Sequence, residues 1–104
     1  MLKPVIYGYL RVTDDLNDPE IRRMERGLHL LAETKGFCFA TTFYEYQTGY
    51  HGAFHELTRE LQRADVHHVV VPALDHLAQH PILRNTMLTR LVRDADAHVW
   101  VVAP

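Results

Sequence analysis

The chain contains 104 residues, a length typical of one globular domain. Its composition, 47% apolar and 23% charged side chains, excludes disordered, collagen-like and coiled-coil proteins. The formal net charge is −2 with histidine neutral, whereas a domain that holds DNA by itself is usually clearly basic. No apolar run could span a membrane, the N-terminus lacks the layout of a signal peptide, and a single cysteine excludes an internal disulfide, so we expect a cytoplasmic protein.

The first part of the chain predicts a strand followed by a helix. Residues 4–12 are rich in β-branched, aromatic and apolar side chains, which is typical of a strand. Asp18 and Pro19 predict a helix start in which Asp18 caps the free N–H groups. Four apolar residues follow at helical spacing: Ile21, Met24, Leu28 and Leu31. Gly36 predicts the end of this helix.

The rest of the chain repeats this alternation. Residues 37–45 predict a second strand with one face made of Phe37, Phe39, Thr41 and Phe43. A short amphipathic helix follows, carrying Phe54, Leu57, Leu61 and Ala64. Residues 67–72 contain three consecutive valines, which is typical of a central strand covered on both faces. Pro81 predicts another helix start, and residues 98–102 predict the last strand.

This element order predicts an α/β domain with a three-layer architecture: a mostly parallel sheet with helices on both faces. In such sheets, sites form where the carboxyl ends of the strands meet the following loops. We therefore expect residues 11–15, 45–55 and 74–80 to converge at one edge of the sheet.

Three motifs lie at the predicted strand ends. Residues 9–13, Tyr-Leu-Arg-Val-Thr, are similar to a Tyr-x-Arg-Val-Ser signature. Residues 45–49, Glu-Tyr-Gln-Thr-Gly, are similar to an acidic-x-x-Ser-Gly segment, and residues 74–79, Leu-Asp-His-Leu-Ala-Gln, to a Leu-Asp-Arg-Leu-x-Arg segment. With these motifs in order, the chain resembles the N-terminal catalytic domain of the serine recombinases, the resolvase/invertase family, over essentially its whole length.

The resemblance implies a site for a DNA phosphodiester, which that family cleaves by direct attack of a serine hydroxyl without a metal or other cofactor. It places Thr13 at the nucleophile position and keeps Arg11 and Asp75. It implies substrate contacts from Thr48, Gly49, His76 and Gln79. Arginines suit such a site because the transition state concentrates negative charge on phosphate oxygens.

Most of the phosphate-handling residues implied by the resemblance are replaced. Thr13 stands for the serine, and its methyl group crowds an in-line attack. His76 and Gln79 stand for two arginines. Phe54 stands where a third arginine is expected, and Asn17 stands for a glutamine. Because the loss of one oxyanion-type donor typically costs ~10²–10³ in rate, we expect little strand cleavage.

We therefore expect a degenerate, catalytically inactive relative that acts as a protein-interaction or regulatory module, through a protein partner or as a homodimer. The chain ends at Pro104, directly after the last predicted strand. We accordingly expect a single domain over residues 1–104, without the family's dimerisation helix or DNA-binding region, and with weak DNA binding of its own.

Two other functions stay open on the sequence alone. In the first, Thr13 attacks DNA and Arg11 contacts the phosphate, in concert with a DNA-binding partner. In the second, a histidine-rich edge binds Zn²⁺ or phosphate through His51, His55, His76 and His80.

Three residues also have a purely structural interpretation. Arg11 is expected to form a buried ion pair that fixes the loops, with carboxylates drawn from Asp14, Asp15 and Asp75. Cys38 is interpreted as a small buried residue of the second strand, and Trp100 as a core residue of the last strand.

Overall fold

The computed structural model describes residues 2–46 and 51–102 of the chain. Strands and helices alternate within them: β1 (Val5–Arg11), α1 (Asp18–Thr34), β2 (Cys38–Glu45), α2 (Gly52–Ala64), β3 (His68–Val71), α3 (Pro81–Ala95) and β4 (His98–Val101). A 3₁₀ turn, Leu74–His76, lies between β3 and α3. The strands pair in parallel in the order β2-β1-β3-β4, which confirms the expected α/β class.

Two hydrophobic clusters cover the two faces of the sheet. On one face α1 packs through a small cluster: Ile6, Leu28, Ala32, Phe37 and Val70. On the other face α2 and α3 pack through a larger cluster that includes Tyr7, Tyr9, Phe54, Leu57, Leu61, Val69, Val71, Met87 and Leu91. Burial of each large apolar side chain contributes roughly 1.5–3 kcal/mol, so both faces stabilise the sheet. The expected three-layer arrangement is confirmed.

Helix ends are set by short polar residues and by glycine. The side chain of Asn17 caps α1 by accepting a 2.9 Å hydrogen bond from the Glu20 amide, so the prediction that Asp18 is the cap was wrong by one residue. Gly36 follows α1 with a φ of 81°, which confirms it as the helix stop. Two aspartates, Asp65 and Asp96, take the same left-handed conformation after α2 and α3.

The three helices contain 17, 13 and 15 residues, and each presents polar residues to solvent. Within residues 2–46 and 51–102, none of them is long and apolar enough to cross a lipid bilayer.

A β-bulge in β2 reverses the side-chain alternation along that strand. Ile6 of β1 pairs with Phe39, but Gly8 pairs with Thr42, so β2 carries one extra residue between these pairs. Phe39 consequently packs on the α1 face, whereas Phe43 packs on the α2 face beside Tyr7. The prediction that the aromatic residues of β2 share one face was therefore wrong, because a single inserted residue shifts the period-2 pattern.

The two outer strands carry a cysteine and a tryptophan. Cys38 is exposed rather than buried, because it begins the edge strand β2 opposite Val5, the first residue of β1. Trp100, on the other edge strand, is half-buried against Phe37, with ring centroids 5.3 Å apart. Its Nε1 donates a 3.3 Å hydrogen bond to Nδ1 of His68.

Gly8 is a position where the packing of α1 on the sheet leaves little room for a side chain. A Cβ at this position would lie 3.0 Å from both Leu28 Cδ1 and Thr42 Oγ1. We expect Gly8→Ala to lower the free energy of unfolding by about 1–3 kcal/mol, as measured by urea denaturation.

Gly27→Ala is the matched control for that prediction. Its Cβ would meet Val102 Cγ1 at 3.2 Å, but Val102 is partly exposed and can move. Replacement of a helix-interior glycine by alanine gains roughly 0.5–1 kcal/mol, so this variant should match or exceed the wild type. Equal stability of the two variants would contradict the close contact assigned to Gly8.

Candidate functional site

The carboxyl ends of β1 and β2 and the turn after β3 meet at one edge of the sheet. Arg11 ends β1 and pairs in register with Glu45, which ends β2. The 3₁₀ turn Leu74–His76 packs against the end of β1. The convergence expected from the topology therefore holds for the described parts of all three segments.

The Arg11 side chain fastens the turn after β3 to the end of β1. It is only 8% exposed. Nε donates to the carbonyl oxygen of His76 at 3.1 Å, and Nη2 donates to that of Leu77 at 2.9 Å. Nη2 also lies 3.3 Å from the hydroxyl oxygen of Tyr9. Since a guanidinium has five N–H donors, these contacts commit much of its capacity to the protein itself.

Glu45 continues this network from Tyr9 to the start of α2. Its carboxylate is 3% exposed and accepts the Tyr9 hydroxyl at 3.0 Å. It also accepts the backbone N–H groups of Ala53 and Phe54, both at 3.3 Å. A carboxylate at this point satisfies otherwise unpaired amides and complements the positive end of the helix. We call Arg11, Tyr9 and Glu45 the strand-end network.

The electrostatics of the strand-end network keep Tyr9 neutral. Burial raises the pKa of the Tyr9 hydroxyl far above its ordinary value; Arg11 opposes this shift and Glu45 adds to it. The phenol consequently stays protonated and can donate to Glu45 throughout the physiological range.

His76 is held as a neutral ring by the backbone of β1. Its Nδ1 accepts the N–H of Arg11 at 3.0 Å, which requires the proton of the neutral ring to lie on Nε2. Burial lowers the pKa of His76, the Asp75 carboxylate opposes this shift, and the Arg11 charge adds to it. The resemblance sets an arginine at this position, whereas the His76 ring accepts a main-chain N–H.

Thr13 and Gln79 line two small cavities beside Arg11, of about 140 and 200 Å³. The Thr13 hydroxyl donates to the carboxylate of Asp15. This hydrogen bond lowers the pKa of Asp15, so that carboxylate is a weak base. The hydroxyl is therefore positioned, but the group next to it is poorly suited to remove its proton.

Two of the four histidines of the zinc hypothesis, His51 and His80, line the same 140 Å³ cavity. His80 caps α3, its Nδ1 accepting the amide of Ile82 at 3.2 Å. His51 precedes α2, and its Nδ1 is buried without a hydrogen-bond partner among the described residues. In residues 2–46 and 51–102, no group of three or more His, Cys, Asp or Glu side chains is placed to hold a metal ion. The zinc hypothesis therefore lacks a ligand set there.

Asp75 and the other carboxylates near Arg11 do not form the expected ion pair with it among the described contacts. Asp75 is exposed on the 3₁₀ turn, and among the described contacts Arg11 binds carbonyl oxygens rather than Asp14, Asp15 or Asp75. The expected ion pair was therefore wrong, because the turn after β3 brings main-chain acceptors closer to the guanidinium. Thr48 and Gly49 lie outside the described residues.

Phe54 and Asn17, which the resemblance sets at the positions of an arginine and a glutamine, have structural roles. Phe54 is 2% exposed and packs edge-on against Tyr9, with ring centroids 6.1 Å apart. Asn17 is the α1 cap.

Tyr9 and Glu45 were not predicted as site residues from the sequence. The available signal was a lone carboxylate at the end of a strand, a few residues before a helix start.

The sequence and the structure of the chain were compared with those of known proteins. No protein-family model matches the sequence, and no curated protein matches it significantly. Among solved structures, the C-terminal catalytic domain of ISC1926 TnpA, an IS607-like serine recombinase, is similar, with a TM-score of 0.71 and 18% identity. The match covers 96% of this chain and 68% of that one. The chain has the fold of a serine recombinase catalytic domain. At this identity the likeness concerns the fold alone.

The strand-end network predicts a large effect for Glu45. We expect Glu45→Ala to lower the free energy of unfolding by ~3 kcal/mol, because it leaves the Tyr9 hydroxyl and two amides without their acceptor in a buried site. Urea denaturation measures this loss. Glu20→Ala, which removes a partly exposed carboxylate from the α1 capping box, is the control and should cost about 1 kcal/mol or less. Comparable losses in the two variants would contradict the role given to Glu45.

The histidine environments predict opposite titrations for His67 and His76. The hydrogen bond that His67 donates to the Asp65 carboxylate, aided by the backbone of Asp96, raises the pKa of His67 above its ordinary 6.5, whereas burial lowers that of His76 below 6.5. In NMR titrations of the assigned imidazole rings, His67 should take up its proton at higher pH than His76.

The sign of the linked stability follows from these directions. The contribution of neutral His76 is fully present above pH 6.5 and is lost as the pH falls through its folded-state pKa. The contribution of His67 is present below pH 6.5 and is lost as the pH rises through its folded-state pKa. If the two rings titrate in the reverse order, either the burial assigned to His76 or the Asp65 hydrogen bond assigned to His67 is wrong.

Proposed function

We propose that the chain is a catalytically inactive relative of the serine recombinase catalytic domain that acts through protein contacts. The observation that carries this proposal is the commitment of the Arg11 guanidinium to the carbonyl oxygens of His76 and Leu77. A guanidinium that binds a transferring phosphate must direct its donors at phosphate oxygens. Here its donors hold the turn after β3 in place.

The neighbouring groups support the same conclusion. His76 is a neutral acceptor for a backbone N–H, and the position set against a further arginine, Phe54, is buried in the core. The hydroxyl of Thr13 donates to a carboxylate of lowered pKa. None of these three residues supplies the positive charge that a pentavalent phosphorus requires.

Composition supports protein contacts over independent DNA binding. The formal net charge of −2 gives no general attraction for a phosphate backbone. The core, by contrast, is well formed on both faces of the sheet, so the fold can present surfaces to a partner. The exposed thiol of Cys38 suits a reducing cytoplasm, and the proposed role needs no cofactor.

One observation favours a second candidate, residual DNA strand cleavage. Thr13 and Arg11 line the same two cavities, and the Thr13 hydroxyl is held by Asp15. In this alternative Thr13 attacks the phosphodiester, Arg11 contacts the phosphate, and a partner supplies DNA binding.

A cleavage assay on supercoiled plasmid separates the two candidates. We expect the purified chain to give no nicked circles and no covalent protein–DNA adduct on a denaturing gel, because Arg11 directs its donors at the carbonyl oxygens of His76 and Leu77 rather than at a transition state. Thr13→Ala is the matched control, since it shares any contaminating nuclease with the wild type. Nicking or adduct formation that disappears in Thr13→Ala would establish residual cleavage instead.

A further inference from the structure

A groove of about 440 Å³ lies between α2 and the edge strand β2, away from the strand-end network. Its floor contains the aromatic rings of Tyr7 and Phe43, which pack edge-on with centroids 5.6 Å apart. Thr41 of β2 lies on one side. The other side is formed by four charged residues of α2: Glu56, Arg59, Glu60 and Arg63. We call these four residues the α2 stripe.

The α2 stripe has the spacing of one helix face. Its members lie at positions i, i+3, i+4 and i+7, so they form a single row on the side of α2 that faces the groove. The row contains two acids and two bases, and its net charge is zero. Two copies of the α2 stripe therefore carry no net charge that would repel one from the other.

The order of charges along the stripe is self-complementary. Consider a two-fold axis that passes midway between Arg59 and Glu60 and places two α2 helices antiparallel. Glu56 of each copy then lies opposite Arg63 of the other, and Arg59 opposite Glu60. Every symmetric pair joins opposite charges, which is the requirement of an isologous interface in which one patch contacts itself.

We propose that a second copy of this chain docks on the α2 stripe, forming an antiparallel two-fold dimer that covers the groove between α2 and β2. This proposal deepens the protein-contact function proposed above, and rests on it, by naming the partner and the surface. The two grooves meet across the axis, so the partly exposed Phe43 ring is shielded from water in the dimer.

The existing contacts of the stripe are compatible with this arrangement. Glu60 accepts Nε of Arg63 at 2.7 Å within the chain and receives the Tyr7 hydroxyl at 3.3 Å. The Arg63 side chain is nevertheless 72% exposed, whereas that of Glu60 is 27% exposed. Arg63 can therefore reach a second carboxylate, and Glu60 can accept a second guanidinium, as the two-fold pairing requires.

Charge reversal with rescue tests the proposed pairing. Sedimentation equilibrium of the full chain should show a monomer–dimer equilibrium that weakens as salt is raised. Glu56→Arg should raise the dimer Kd about tenfold, because it places like charges opposite each other at two symmetric contacts. Arg63→Glu should act in the same way. The double variant Glu56→Arg with Arg63→Glu should return the Kd to within about threefold of the wild type.

The two substituted residues do not contact each other within one chain, so a direct pairing between them can form only across the dimer. Residues 56 and 63 are two helical turns apart, about 10 Å along the axis, so their side chains are not neighbours within one helix. Glu33→Arg, an exposed reversal on α1, changes net charge equally and should leave the Kd unchanged. Circular dichroism on each variant verifies that α2 stays folded.

Several results would overturn the proposed dimer. They are a monomer at all concentrations up to ~1 mM, a dimer indifferent to Glu56→Arg, and a double variant no tighter than the single ones. The plasmid assay is independent of this outcome. Nicking that depends on Thr13 would overturn catalytic inactivity, whereas a strict monomer without nicking would overturn only the α2 surface.

Discussion

The strand-end network is the constraint on which the site depends. A guanidinium, a phenol and a carboxylate, all buried, connect the end of β1 to the turn after β3 and to the first turn of α2. Buried charges are tolerated only where their hydrogen-bonding capacity is met, so each group fixes its neighbours. Arg11 directs its donors at main-chain carbonyl oxygens and so stabilises this edge of the sheet.

The sequence predicted the fold well because its signals are local. Pro81 begins α3, and Gly36 has the left-handed conformation that ends α1. The β2 bulge was not predictable, because the alternation of side chains depends on the register with β1 rather than on β2 alone. The exposure of Cys38 has the same origin, since the order of strands decides which strand lies at an edge.

The candidate site was predicted only in outline. Topology indicated which segments converge, and it brought Arg11 and His76 together. It gave no indication of the acceptors of Arg11, because a main-chain carbonyl is present in every residue and leaves no mark in the sequence. Carboxylates nearby in sequence, such as Asp14 and Asp15, therefore suggested an ion pair that the described contacts of Arg11 do not include.

Trp100 gives the molecule an optical property of practical use. It is the sole tryptophan of the chain, it lies on the outer strand β4, and its indole N–H is bound to His68. The fluorescence of Trp100 therefore reports the environment of β4 alone. Local unfolding of this edge strand can be followed by fluorescence, whereas far-ultraviolet circular dichroism follows the unfolding of the helices.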